Sequence, residues 1–173
     1  MIIGRRSHRR HLPHFQSDYR TYFVTYVTLE RVVLPHEARD IARRHIIERR
    51  SMYFLHVAIV MPDHVHLILT PGWDASGHCY SLSEILRRIK GASAREINLL
   101  LGCRGALWLD ESFDHELRRD EDLRKKAEYV CNNPVRRGLV STPDEYRWLW
   151  RSWIEGNVGQ ASACPSWNEN GTG

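Results

Sequence analysis

The sequence predicts an α+β domain of ferredoxin-like arrangement, an antiparallel sheet with its helices on one face, and three observations lead there. Short runs rich in β-branched and aromatic residues alternate with amphipathic stretches of helical period, in the order β-α-β-β-α-β-α. Only Met61-Pro62-Asp63 separates the second such run from the third, so those two strands form a hairpin. The 173 residues suit one core of ordinary size, and they contain no internal repeat.

Tyr22-Phe23-Val24-Thr25-Tyr26-Val27-Thr28 is aromatic and β-branched and reads as the first strand. Pro35 opens a helix to about Arg50, because Ala38, Ile41, Ala42, His45 and Ile46 recur at helical spacing. Phe54 to Val60 is the second strand and His64 to Leu69 the third. Ser81 with Glu84 forms a capping-box signature for a second helix, whose buried stripe is Leu82, Ile85, Leu86, Ile89, Ile97 and Leu100 and whose end is Gly102. A fourth strand is expected around Phe113 to Leu117. Asp120 then caps a helix to Asn133, which Pro134 should stop by forcing the preceding residue out of the helical region. Tyr146, Trp148, Trp150 and Trp153 are expected to fold back as an aromatic cap on the core. The organisation is therefore a basic arm over 1–18, one domain over 19–154 and a disordered Gly, Ser and Asn-rich tail over 155–173.

A hydrophobic content of 42% and a charged content of 27% are those of a soluble globular protein. No apolar run approaches the roughly 20 residues that cross a bilayer, and no signal-peptide core opens the chain, so no membrane partner and a cytoplasmic location are expected. The four cysteines, Cys79, Cys103, Cys131 and Cys164, form no Cys-x-x-Cys pair and read as reduced thiols. Net charge is +4 and its distribution is uneven: Arg5, Arg6, Arg9 and Arg10 crowd a first segment without acids. Further basic clusters include Arg87-Arg88-Lys90, Arg124-Lys125-Lys126 and Arg136-Arg137. Singly these are solvated helix faces; with the arm they make nucleic acid the leading partner. Arg5, Arg6, Arg9, Arg10, Arg87, Arg88, Lys90 and Lys126 are the candidate DNA contacts.

The chemistry centres on Met61-Pro62-Asp63-His64-Val65-His66. In a strand His64 and His66 share a face while Val65, Leu67 and Leu69 take the other, which makes half of a divalent-metal site without an ordered loop. A lone His-x-His is more often a pair of half-buried sheet histidines, so the pair needs further support. In the last helix Leu123, Ala127, Val130 and Cys131 mark the apolar stripe, and Tyr129 lies off it with Asp122, Lys126 and Asn133. Four residues apart, Tyr129 and Asn133 stack on one helix face. An amphipathic tyrosine against a loop is the alternative.

The His-hydrophobic-His strand, followed by the helix in Glu128-Tyr129-Val130-Cys131-Asn132-Asn133-Pro134, resembles the single-tyrosine HUH transposases, and within them the REP-associated tyrosine transposases of bacteria. His11-Leu12-Pro13-His14, Leu107-Trp108-Leu109-Asp110-Glu111-Ser112-Phe113-Asp114-His115 and Tyr146-Arg147-Trp148 extend the resemblance over residues 9 to 153. It implies the HUH fold, a divalent metal on His64, His66 and Asn133, and Tyr129 as nucleophile. It also implies single-stranded or hairpin DNA as substrate, a 5′-phosphotyrosine and a free 3′ hydroxyl. Two departures stand out: Asp63 where asparagine is common, and Leu109 where glutamine is usual.

Mg²⁺ or Mn²⁺ suits an oxygen-rich substrate and an amide ligand better than a closed zinc site does. A phenol ordinarily titrates at about 10, so the tyrosine needs help in losing its proton, from the metal's field or from a lysine such as Lys126. Two other classes are a metal-dependent phosphodiesterase using water and a domesticated DNA-binding or regulatory protein that no longer cuts. The chain is expected to be a monomer or homodimer.

Overall fold

The computed structural model describes residues 20–118 and 120–155; the arm expected over 1–18 and all but Glu155 of the expected tail lie outside them. Five strands, β1 (Thr21–Val27), β2 (Tyr53–Val60), β3 (His64–Pro71), β4 (Phe113–Leu117) and β5 (Leu149–Arg151), form one sheet in the order β4-β1-β3-β2-β5. Every pairing is antiparallel. The His-Val-His strand is therefore central. Seven of its eight residues are buried, an expected state for a strand covered on both faces.

Cross-strand pairing sorts the side chains. Phe23, Thr25, Val57, Ile59, His66, Ile68, Phe113 and His115 share one face, and Val24, Tyr26, Ala58, Val65 and Leu67 the other. Two long helices, α1 (His36–Glu48) and α2 (Leu82–Leu101), cover the second face. Tyr53 of β2 donates its hydroxyl proton to the Ile46 carbonyl of α1. Trp108 lies edge-on to Tyr26 at 5.0 Å and donates its indole N–H to Ser93 of α2 at 3.0 Å. Glu96 of α2 takes both Arg44 and His45 of α1. The caps expected of α2 are present in part: the Ser81 hydroxyl accepts from the Glu84 backbone N–H, and Gly102 adopts the left-handed conformation that a helix C-terminus favours. The Glu84 side chain, however, turns to Arg88 instead of closing the box.

The α+β class and the antiparallel sheet stand as expected, but helices on one face describes α1 and α2 alone. Helix α3 (Asp120–Cys131) crosses the first face, with Lys126 Nζ 4.7 Å above the Phe23 ring. The reason is apolar demand: Val57, Ile59 and Ile68 on that face are fully buried, and Ala127, Val130 and Cys131 of α3 are the apolar residues available to cover them. Nor does Pro134 stop a single helix reaching Asn133. The helix ends at Cys131, and a new turn, α4 (Asn133–Arg136), carries Pro134 in its first positions, where the missing N–H costs nothing.

Tyr146, Trp148 and Trp150 fold back on the core as expected, and the segment also supplies a fifth strand, β5, which was not expected. Trp150 pairs with Ala58, and the Val60 N–H donates to the Trp148 carbonyl at 3.1 Å. Tyr146 donates to the Val60 carbonyl at 2.9 Å, Trp148 lies under the Arg39 guanidinium at 3.7 Å, and Trp153, in the short closing helix α5 (Ser152–Glu155), stays exposed. Among the described residues Cys103 and Cys131 are outside any disulfide, and no helix is long and apolar enough to cross a membrane.

Candidate active site

The turn Met61-Pro62-Asp63 delivers β3 into the middle of the sheet with His64 first and His66 third. Their rings lie 4.7 Å apart, and both are buried, at 4% and 7% exposure. Each imidazole has its Nδ1 occupied. The His64 Nδ1–H donates to Asp63 Oδ1 at 2.6 Å, since a carboxylate can only accept. His66 Nε2 faces the Asn133 amide nitrogen at 3.1 Å, which can only donate, so the His66 proton sits on Nδ1 and is given to Thr25 Oγ1 at 2.7 Å. Both rings thus keep an Nε2 lone pair. This is the tautomer a metal-ligating histidine uses, with its other nitrogen oriented by a partner behind it.

Electrostatics favour the same state. Burial, together with His64, Arg137 and Lys126, pulls the His66 pKa down to about 3. Burial also lowers that of His64, against the opposing pull of Asp63. Both rings are neutral at physiological pH. Burial tends to raise the Asp63 carboxyl, but His64, Arg137 and Arg31 outweigh it and hold the group below the usual range. Arg31 reaches Asp63 at 3.2 Å from a segment in which Glu30 and Arg31 both have positive φ, a conformation that costs non-glycine residues roughly 1–2 kcal/mol each.

Asn133 opens α4 two residues after α3 ends at Cys131, and it is buried at 7% exposure. A half-turn of its amide plane presents Oδ1 in place of Nδ2 toward the His66 Nε2 side. The neighbouring imidazoles and an amide oxygen are then the side chains here that could hold a divalent cation. Among the described residues no group of three or more His, Cys, Asp and Glu is arranged for a metal, so an amide ligand is what makes this site a candidate. Tyr129 stands at its rim, 40% exposed, its ring 6.2 Å from that of His66. Lys126 Nζ lies 5.5 Å and Arg136 Cζ 5.0 Å from the centre of the tyrosine ring.

No family model matches the chain. A Haemophilus influenzae protein provisionally named a REP-associated tyrosine transposase is 23% identical over 129 residues, which is 66% of this chain and 73% of the relative. A solved REP-associated tyrosine transposase bound to a REP hairpin matches the fold with a TM-score of 0.62 at 19% identity, covering 100% of this chain and 97% of that one. The chain resembles the REP-associated tyrosine transposases. A provisionally named transposase of Deinococcus radiodurans R1 is similar at a TM-score of 0.47 and 21% identity, over 76% of this chain and 97% of that one.

Of the residues singled out by sequence, His64, His66, Asn133, Tyr129 and Lys126 come together. Arg5, Arg6, Arg9 and Arg10 lie outside the described residues. The α2 cluster does not join the site. Lys90 donates to the Leu109 and Asp110 carbonyls at 2.8 and 2.7 Å and to Ser112 Oγ at 3.1 Å, so its three protons hold the loop before β4. Arg88 pairs with Glu84 at 2.9 Å, and Arg87 is exposed on the same helix. Sequence reasoning missed Thr25, Arg31 and the role of Asp63 behind His64. Adjacency to His64 was a signal for Asp63. Thr25 and Arg31 come from other segments, and only cross-strand register and the loop's path bring them in.

Proposed function

We propose that this chain is a metal-dependent single-stranded DNA endonuclease and strand-transferase, a transposase-like enzyme that acts at DNA hairpins through a 5′-phosphotyrosine on Tyr129. The observation that carries the reading is the convergence of His66 and Asn133 at 3.1 Å from elements 67 residues apart, with Tyr129 at the rim. The fold shared with a transposase bound to a REP hairpin supports hairpin DNA as the substrate class. His64, His66 and Asn133 would hold Mg²⁺ or Mn²⁺, which when bound supplies Lewis-acid withdrawal of charge from the scissile phosphate.

The chain's own residues do the rest. Tyr129 releases its proton to solvent as its Oη attacks phosphorus, the bond to the 3′ oxygen breaks, and that oxygen leaves as a hydroxyl after taking a proton from solvent. Lys126 and Arg136 set cations against the ring as its oxygen loses a proton and gains negative charge. Asp63 and Thr25 keep the imidazoles in register with the phosphate. The phosphoester on tyrosine conserves the energy of the cut bond, so a 3′ hydroxyl can reverse the step on the same or another strand. The basic arm, with Arg5, Arg6, Arg9 and Arg10, belongs to the same proposal as a grip on flanking phosphates, contacts that weaken as salt rises.

The test is a hairpin with unpaired flanks, labelled on either side of the cut, incubated with Mn²⁺ and run under denaturing conditions. Label downstream should stay with protein and map to Tyr129, and the upstream fragment should end in a 3′ hydroxyl that a polymerase extends. Cut DNA without an adduct would transfer the chemistry to water, and an adduct on Tyr22, Tyr26, Tyr53, Tyr80 or Tyr146 would overturn the assignment of the nucleophile.

A further inference from the structure

Tyr129 has a second neighbourhood. Away from His66 it closes a cleft of about 360 Å³ between β4 and α3, lined also by His115, Leu117, Asp122, Lys125 and Lys126. The sheet side of this cleft is the edge strand, whose Phe113, His115 and Leu117 stand opposite Thr25, Phe23 and Thr21 of β1 and so share the face that carries the histidines. Phe113 is 65% exposed, a large ring left open on an edge strand, where charged side chains are the usual protection.

That ring is not isolated. Phe23 meets it edge-on at 6.5 Å and stacks on His66 at 5.5 Å, so an aromatic row runs from the imidazole to the edge of the sheet. Phe113 and His66 are both in register with Thr25, which sets them two strand spacings apart, roughly 10 Å. Lys126 Nζ stands over the middle of the row, 4.7 Å from the Phe23 ring. An open ring at the end of the row, a cation over the neighbouring Phe23 ring and a cleft that reaches the tyrosine make up the chemistry that takes an unpaired base and its phosphate.

We infer that the cleft between β4 and α3, with Phe113 beside it on the strand face that carries His115, is a subsite for one unpaired nucleotide adjoining the phosphate that Tyr129 attacks, its phosphate at Lys126 and its base reaching past His115 to stack on Phe113. The inference rests on the function proposed above and names where the flanking strand lies. The volume suits a single nucleotide, being at the small end of ligand pockets. Asp122 in the lining repels a second phosphate, so the strand enters and turns away. Stacking is indifferent to which base is present, and this subsite should therefore require an unpaired base without selecting its identity.

The experiment uses the full chain, without metal, and fluorescence anisotropy on three DNAs: a hairpin with unpaired flanks, the same DNA made abasic one flanking position at a time, and the blunt hairpin. Wild-type protein should lose about tenfold in affinity at one abasic position, the magnitude of one base–aromatic stack. Phe113→Ala should bind the flanked hairpin about tenfold more weakly and lose nothing further at that position, while binding the blunt hairpin as the wild type does. His115→Ala should show a smaller loss confined to the same position. An abasic penalty that survives in Phe113→Ala, or a Phe113→Ala loss equal on all three DNAs, overturns the subsite. Failure of the proposed function is distinguishable: wild-type protein would form no adduct with Mn²⁺ whatever the abasic series shows.

Discussion

The two faces of the sheet use the same central strand to opposite ends. Under α1 and α2, Val24, Tyr26, Val65, Leu67, Ile85 and Ile89 are at most 1% exposed, and the Tyr26 hydroxyl is buried without a partner. Under α3, His64, His66 and Asn133 are nearly as buried, yet each polar side chain has a partner and the cover ends at Tyr129. Val65 and Leu67 alternate with His64 and His66 along one strand. A two-residue period thus lets a single strand be core on one side and polar on the other. What separates them is the reach of the covering helix: α2 runs for 20 residues, α3 for 12.

Tyrosine-to-phenylalanine changes on the two faces sharpen the contrast most. Tyr129→Phe should fold, bind metal and bind hairpin DNA, yet form no adduct and no cut strand on a denaturing gel; residual cleavage at the parent's rate would break the comparison at its centre. The orienting carboxylate gives the next effect. Asp63→Ala removes the acceptor behind His64 and should weaken Mn²⁺ binding about 10–100-fold by titration calorimetry, with the thermal midpoint little changed. An unaltered Mn²⁺ affinity would leave Asp63 as a clamp for Arg31 only.

The polar face should also carry a pH signature. Burial pulls His56, bonded to Thr70 on that face, down to about 4. The unfolded chain takes this proton below about 6.5 while the folded chain does not. Stability is therefore complete above about 6.5 and falls as pH drops toward about 4, by about 1–3 kcal/mol for this group. Urea midpoints measured over that window should fall less steeply in His56→Gln, and parallel curves would refute the assignment. The smallest effect belongs to the sealed face. Tyr26→Phe deletes a buried hydroxyl without a partner, so stability should hold or rise by about 0–1 kcal/mol, with adduct yield unchanged. A clear loss in the urea midpoint would mean that the hydroxyl has a partner after all.

Much of this was legible before folding. Ser81, Gly102 and the α2 stripe from Leu82 to Ile97 act within one or two turns, although Leu100, expected in that stripe, is 49% exposed because no described segment covers the last turn there; the His64/His66 pairing needs only the strand period, so local chemistry suffices for both. The displacement of Tyr129 from its helix stripe was legible for the same reason. Three features were not. Pro134 is compatible both with the residue after one helix and with the first turn of the next, and the turn that begins at Asn133 sets that amide 3.1 Å from His66. The fifth strand lacked a β-branched run, and it forms because the β2 edge offers backbone partners to Trp148 and Trp150. Lys90 looked like a phosphate contact, since charge alone cannot tell an ammonium facing solvent from one capped by three protein oxygens.

By itself the sequence determined the alternation that sets two imidazoles on one strand face, the periods of the helices, and the tyrosine off its stripe, because each depends on residues within about two turns of one another. Only the tertiary structure decided which side α3 covers, which nitrogen of each histidine stays open, and that Thr25 and Asn133 meet at His66 while Arg31 joins Asp63 behind His64. Those outcomes depend on burying Val57, Ile59 and Ile68 and on pairing every polar group buried with them. Such demands are satisfied between segments far apart in the chain, and no local pattern encodes them.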